Sequence, residues 1–134
     1  MARLSLRVDF APSARLGPGK VRLLELIAAH GSIAAAGRAM RMSYRRAWML
    51  VEELNRCFKE PLVATQMGGS RGGGTTLTPL GEDIVRRYRA IEAEADSAVA
   101  AHLRALDLAL SDATRALADD RGNVEASQGH PPSA

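Results

Sequence analysis

The chain has 134 residues, 46% apolar and 25% charged, a balance that excludes a disordered polymer and suits one globular domain with an appended element. Its longest apolar runs are a few residues, too short to span a bilayer, and Cys57 is the only cysteine, so an internal disulfide is excluded and a reducing cytoplasm fits. Net charge is only +3, yet residues 1–60 carry 11 Lys/Arg against 5 Asp/Glu while residues 61–134 carry 7 against 10, concentrating the basic surface N-terminally as a polyanion-binding face requires.

The opening Met1-Ala2-Arg3-Leu4 leads directly into alternating residues, without the apolar core of a signal peptide. Leu4, Leu6, Val8 and Phe10 alternate with Ser5, Arg7 and Asp9, which predicts a half-buried strand. Pro12, Gly17, Pro18 and Gly19 predict a loop over residues 11–19. From Lys20 the period changes: Val21, Leu24, Ile27 and Ala28 mark one face of a helix that Gly31 stops. Ser32 is an N-cap for a short second helix reaching about Met40, and Ser43 caps a third that runs to about Phe58. Ala47, Leu50, Val51, Leu54 and Phe58 form the inner face of the third helix. Two helices so closely spaced predict a helix-turn-helix.

Beyond Pro61, residues 62–67 suit a strand, Gly68 to Gly74 a flexible tip and Thr75 to Leu77 a returning strand, together a glycine-rich wing. Thr78-Pro79 opens another helix by a capping side chain and a first-turn proline, with Glu82 and Asp83 favouring its dipole. Ile84, Tyr88, Ile91, Ala95, Ala98 and His102 follow a spacing near 3.5 residues, and Leu103, Leu106 and Leu110 extend the stripe. A helix of about 28 residues would be ~42 Å long, more than a domain this small can cover, so part of it is expected to pack on a second copy. The alternative is two shorter helices broken near Asp107 to Asp112. The polar residues 119–134 predict disorder.

No catalytic constellation emerges. His30, His102 and His130 lack metal-ligand spacing, the serines are caps or tail residues, and Cys57 reads as a small apolar filler. The loop Gly68 to Gly74 lacks the Gly-Lys-Ser/Thr ending of a nucleotide-binding loop and joins two strands. Neither an enzyme nor a metal site is expected.

The third helix is more informative. Ser43, Tyr44, Arg45, Arg46 and Trp48 cluster at its start, the part of a helix-turn-helix that enters the major groove. Arg45 and Arg46 suit guanine edges or phosphates, and Ser43 suits a phosphate. Tyr44 and Trp48 lie one turn apart and could stack, although Trp48 reads first as a wedge in the core. Arg71, central in a glycine-rich tip, suits phosphate or the minor groove.

Gly31-Ser32-Ile33, Met42 to Trp48, Glu53-Leu54-Asn55, Pro61-Leu62-Val63, Gly68 to Gly74 and Leu77 to Gly81 together resemble the N-terminal DNA-binding domain of the ModE family of molybdate-responsive bacterial regulators. More loosely, the same order resembles the LysR-type helix-turn-helix. The resemblance implies a mainly α fold with a small β component: a winged helix-turn-helix within residues 1–110, a long C-terminal dimerisation helix at about 79–110, and a short helix or disordered tail over 111–134. It implies a cytoplasmic homodimer that binds a palindromic operator in double-stranded DNA, away from membranes. Ser32, Arg41, Ser43, Tyr44, Arg45, Arg46 and Trp48 would face DNA, with Gly69, Ser70, Arg71, Gly72, Gly73 and Thr75 of the wing. Ile84, Tyr88, Ile91, Ala95, Ala98, His102 and Leu106 would form the dimer seam. Family members continue into C-terminal oxyanion-binding domains, for which a chain ending at Ala134 is expected to leave no room. No cofactor is expected, with molybdate or tungstate binding left open. An oxyanion-responsive single-domain sensor and a winged-helix adaptor that binds no DNA are the alternatives.

Overall fold

The computed structural model describes residues 1–66 and 74–128. In chain order it contains β1 (Val8–Ala11), β2 (Ala14–Leu16), α1 (Pro18–His30), α2 (Ile33–Ala39), α3 (Tyr44–Cys57), β3 (Val63–Gln66), β4 (Gly74–Leu77), α4 (Pro79–Leu108) and α5 (Asp112–Gln128). Each strand pair is antiparallel, β1 with β2 and β3 with β4. The chain divides into two compact units, Ser5–Glu94 and Met1–Leu4 with Ala95–Ala134. No helix among the described residues is long and apolar enough to cross a membrane.

Local chemistry fixes the helix ends. Pro18 occupies the first turn of α1, where its missing N–H costs nothing, and Gly31 closes that helix at φ 71°, a left-handed conformation that favours glycine. Ser32 Oγ accepts the Ala35 amide at 3.1 Å and Ser43 Oγ accepts the Arg46 amide at 3.1 Å, capping α2 and α3. Thr78 Oγ1 accepts the Gly81 amide at 3.0 Å at the start of α4, and Arg87 and Arg86 hold the Asp83 carboxyl below its usual range there, chiefly through the Arg87 hydrogen bond.

The core of the Ser5–Glu94 unit gathers Leu16, the Val21–Ile27 face of α1, Ile33 and Ala36 of α2, Ala47, Val51 and Leu54 of α3, Leu62, Val63 and Tyr88. Tyr88 is only 1% exposed and its hydroxyl donates to Leu6 O at 2.7 Å, while burial pushes its pKa up. Beside it, hydrogen bonds to Glu25 and Glu92 raise the Arg89 pKa and tie α4 to α1.

In the second unit, both Asp107 carboxylate oxygens accept the Ala2 amide, at 2.7 and 2.8 Å, and Asp107 O accepts from Arg115. None of residues 95–120 is buried, and Leu106, Leu108 and Leu117 are exposed.

Two expectations are corrected. Residues 11–19 are not all loop, because Ala14–Leu16 returns against Val8–Ala11 around Pro12-Ser13, a strand too short to leave a periodic signature. The segment expected to be disordered from residue 119 is instead helical to Gln128. An alanine-rich sequence started by Ser111, whose Oγ accepts the Thr114 amide, needs no apolar face to favour a helix. Residues 129–134 of the expected tail lie outside the described residues. Both alternatives for the long helix are partly met: α4 is continuous to Leu108, and the break falls at Ala109–Ser111.

Candidate nucleic-acid interface

Packing of α2 on α3 brings two backbones close together. A Cβ placed on Gly37 would lie 3.1 Å from Ala47 Cβ, so glycine and alanine set the crossing distance. The connecting turn is closed by Arg41 N donating to Arg38 O and Met42 N to Gly37 O, both at 3.0 Å. Arg41 pays a small conformational cost there, at φ 57°. This turn delivers Ser43 as the cap of α3 and turns the next residues outward.

With Ala47, Val51 and Leu54 buried, the helical period leaves Arg45 and Met49 on the opposite side of α3 and Arg46 and Trp48 on its two flanks, while Tyr44, seven residues before Val51 and so on the inner side, is exposed in the first turn. Tyr44 is 58% exposed, Trp48 46% and Met49 46%. The packing role expected first for Trp48 is corrected by that exposure: on the flank of α3, one turn after Tyr44, its indole is open to solvent and is no wedge in the core. Met49 joins this face without having been expected, although the positions of Ala47 and Val51 already imply it. Arg38, Arg41, Arg45 and Arg46 are exposed, and none takes part in an ion pair among the described residues. Ser43 uses one oxygen lone pair in its cap, leaving its O–H able to donate to a phosphate. Ser32 is half-buried and engaged in the same kind of cap.

The wing is bolted to this motif from two sides. Asn55 Oδ1, on α3, accepts both the Leu62 amide at 2.9 Å and the Val63 amide at 3.1 Å. From the other strand, Thr75 N donates to Gly31 O at 2.9 Å, joining β4 to the α1–α2 corner. Thr75 is only 8% exposed, so the residue expected to face DNA is held inside as an anchor. Strand register runs from Val63 opposite Leu77 to Gln66 opposite Gly74. The expected contacts Gly69, Ser70, Arg71, Gly72 and Gly73 lie outside the described residues, as does Met67 of the predicted strand. The anchoring role of Asn55 has no local signature in the sequence, because it depends on amides seven and eight residues away.

Of the expected dimer seam, Ile84 packs against the core and Tyr88 belongs to it. Ile91 is 44% exposed, Leu106 60%, and Ala98 and His102 are exposed, with Ala95 half-buried.

Residues 19–82 match the model of the bacterial regulatory helix-turn-helix proteins of the lysR family. The molybdenum transport protein ModE of Azotobacter vinelandii is 42% identical over 99 residues, covering 74% of this chain and 36% of that protein. The molybdenum-pterin-binding protein MopB of Rhodobacter capsulatus is 38% identical over 104 residues, 78% of this chain and 38% of that protein. The DNA-binding transcriptional dual regulator ModE of Escherichia coli is 35% identical over 71 residues, 53% of this chain and 27% of that protein. The matched region thus spans about a third of the length of the first two relatives. Among solved structures, MepR, a transcription regulator of the Staphylococcus aureus multidrug efflux pump MepA, superposes with a TM-score of 0.53 at 15% identity, over 86% of this chain and 81% of that one. At that identity the likeness concerns the winged-helix fold alone.

Proposed function

We propose that the chain, whose residues 19–82 match the lysR-family helix-turn-helix model and resemble the corresponding part of the ModE regulators, binds a specific palindromic duplex as a homodimer and regulates transcription there. The observation that carries the proposal is the start of α3: Arg45 and Arg46 exposed and free of ion pairs among the described residues, beside Ser43, Tyr44 and Trp48, on a helix whose other face is buried. Arginine forks in the first turn of such a helix reach guanine edges in the major groove, and Arg41 in the preceding turn suits the flanking phosphate. Arg71 and its glycine neighbours would grip backbone or minor groove.

Pairing of two copies is supported by Ile91 and Leu106, apolar and exposed at helical spacing along α4, together with Ala95, Ala98 and His102. Two recognition helices related by a two-fold axis would read half-sites one helical turn apart, which is why the operator is expected to be palindromic.

Selection from a randomised duplex library tests the proposal. Enrichment of an inverted repeat supports it, whereas a library that stays random after several rounds would favour an adaptor that binds no DNA. The names of the relatives connect them with molybdenum, and repeating the selection with molybdate or tungstate asks whether either anion changes the affinity for the enriched duplex.

A further inference from the structure

A cleft of about 510 Å³ opens between the β1–β2 hairpin, the first turn of α1, the α2–α3 turn and the flank of α3, a size typical of small-molecule sites. One part of its wall is apolar, made by Met40, Met42 and Leu50. Four cations line the rest, Arg7, Arg15, Lys20 and Arg46, against the single carboxylate of Glu53. Glu53 offsets only one of them, pairing with Lys20 Nζ at 3.6 Å, while Lys20 also donates to the carbonyl of Arg15. Arg15 is held by a neutral group as well, Pro12 O, while Arg7 has Asp9 and Arg46 has no ion pair among the described residues. The first turn of α1 adds positive potential, because Gly17 provides no capping side chain and the turn holds no acidic residue. Gly17 and Gly19, both at the cleft, leave that turn open to an occupant.

We propose that this cleft binds a small amphipathic anion, its phosphate or carboxylate group held by Arg15, Lys20 and Arg46 and its apolar body resting on Met40, Met42 and Leu50. Arginine forks suit such oxyanions, and the apolar wall would reject a bare inorganic ion in favour of one carrying a hydrocarbon. The occupant would act on DNA binding, a step that rests on the function proposed above. Arg46 belongs to both the cleft and the first turn of α3, so an anion that takes its guanidinium withdraws it from DNA.

The test titrates the chain with phenyl phosphate, inorganic phosphate and phenol, followed by calorimetry and by amide chemical shifts. The expected result is one phenyl phosphate per chain, bound at least about tenfold more tightly than inorganic phosphate, with no saturable binding of phenol. Arg15→Ala should weaken binding by about fivefold or more. Gly19→Phe should abolish it while leaving the melting temperature intact, since a Cβ on Gly19 meets nothing within 4 Å. Phenyl phosphate should also weaken duplex binding more than potassium chloride of equal ionic strength. Absence of saturable binding, or binding unchanged in both variants, overturns the site. Binding without any effect on the duplex overturns the coupling. If Arg15→Ala loses duplex affinity while phenyl phosphate never binds, the cleft grips a DNA phosphate and the small-anion proposal falls. A chain that binds phenyl phosphate but no duplex instead overturns the proposed function and leaves the site standing.

Discussion

Replacing Gly81 by alanine should unseat α4 from the wing. A Cβ at that position would lie 2.1 Å from Leu62 O, 3.0 Å from Leu62 C and 3.2 Å from Leu62 Cα. These are backbone atoms, and they have nowhere to retreat: Leu62 O accepts the Thr78 amide at 2.9 Å, Leu62 N donates to Asn55 Oδ1 at 2.9 Å, and the Leu62 side chain is fully buried. Relief needs a separation of roughly 1 Å, given the ordinary contact distance of carbon and oxygen. Overpacking of this kind costs about 1–3 kcal/mol or more, and losing the Thr78–Leu62 hydrogen bond about 1 kcal/mol. Alanine returns about 1 kcal/mol through helix propensity. The net loss is about 1–3 kcal/mol, which for a unit the size of Ser5–Glu94 lowers Tm by roughly 5–20 °C. Far-UV circular dichroism melts at fixed protein concentration measure it, with Gly19→Ala as the control, where open space around the new Cβ predicts an unchanged or slightly higher Tm. A Gly81→Ala protein melting within about 2 °C of wild type would show that the Leu62 backbone gives way to the new Cβ at no cost.

Asn55→Ala leaves the amides of Leu62 and Val63 without their acceptor and should cost about 2–4 kcal/mol in urea denaturation; a loss below about 0.5 kcal/mol would show that the wing is not held through this side chain. Glutamate at Ile91 and Leu106 together should shift sedimentation from dimer to monomer without changing helix content, whereas an unchanged dimer would move the seam elsewhere. Arg71→Ala should weaken binding evenly across duplex sequences and flatten the log–log salt dependence by up to about one unit; a sequence-selective loss would instead make Arg71 a base reader.

What could be read from the sequence was local. Ser32, Ser43, Gly31 and Thr78-Pro79 announce helix ends because a cap acts within three or four residues of itself. Periodicity also placed Ala47, Val51 and Leu54 on one face of α3. It could not say what each face would meet. Tyr88 shares a stripe with Ile91, yet one is sealed in the core by Leu6 and the other is exposed, a difference decided by a segment 82 residues away. The same holds for Thr75, whose amide is claimed by the carbonyl of Gly31 across the fold, and for Trp48, whose place on the flank of α3 suits core or solvent alike and which is 46% exposed. The return strand Ala14–Leu16 escaped notice because three residues carry too little pattern, and for residues 111–134 a helix stayed level with a disordered tail because α5 has no apolar stripe to announce it.

Recognition of DNA rests on the first turn of α3. Arg45→Ala combined with Arg46→Ala, assayed by fluorescence anisotropy on the duplex that selection enriches, should lose at least about 30-fold in affinity while circular dichroism remains that of wild type. Neither side chain supports the fold, since both are exposed and outside every ion pair among the described residues. A double variant that holds the enriched duplex as tightly as wild type would contradict the assignment of this helix as the one that reads DNA.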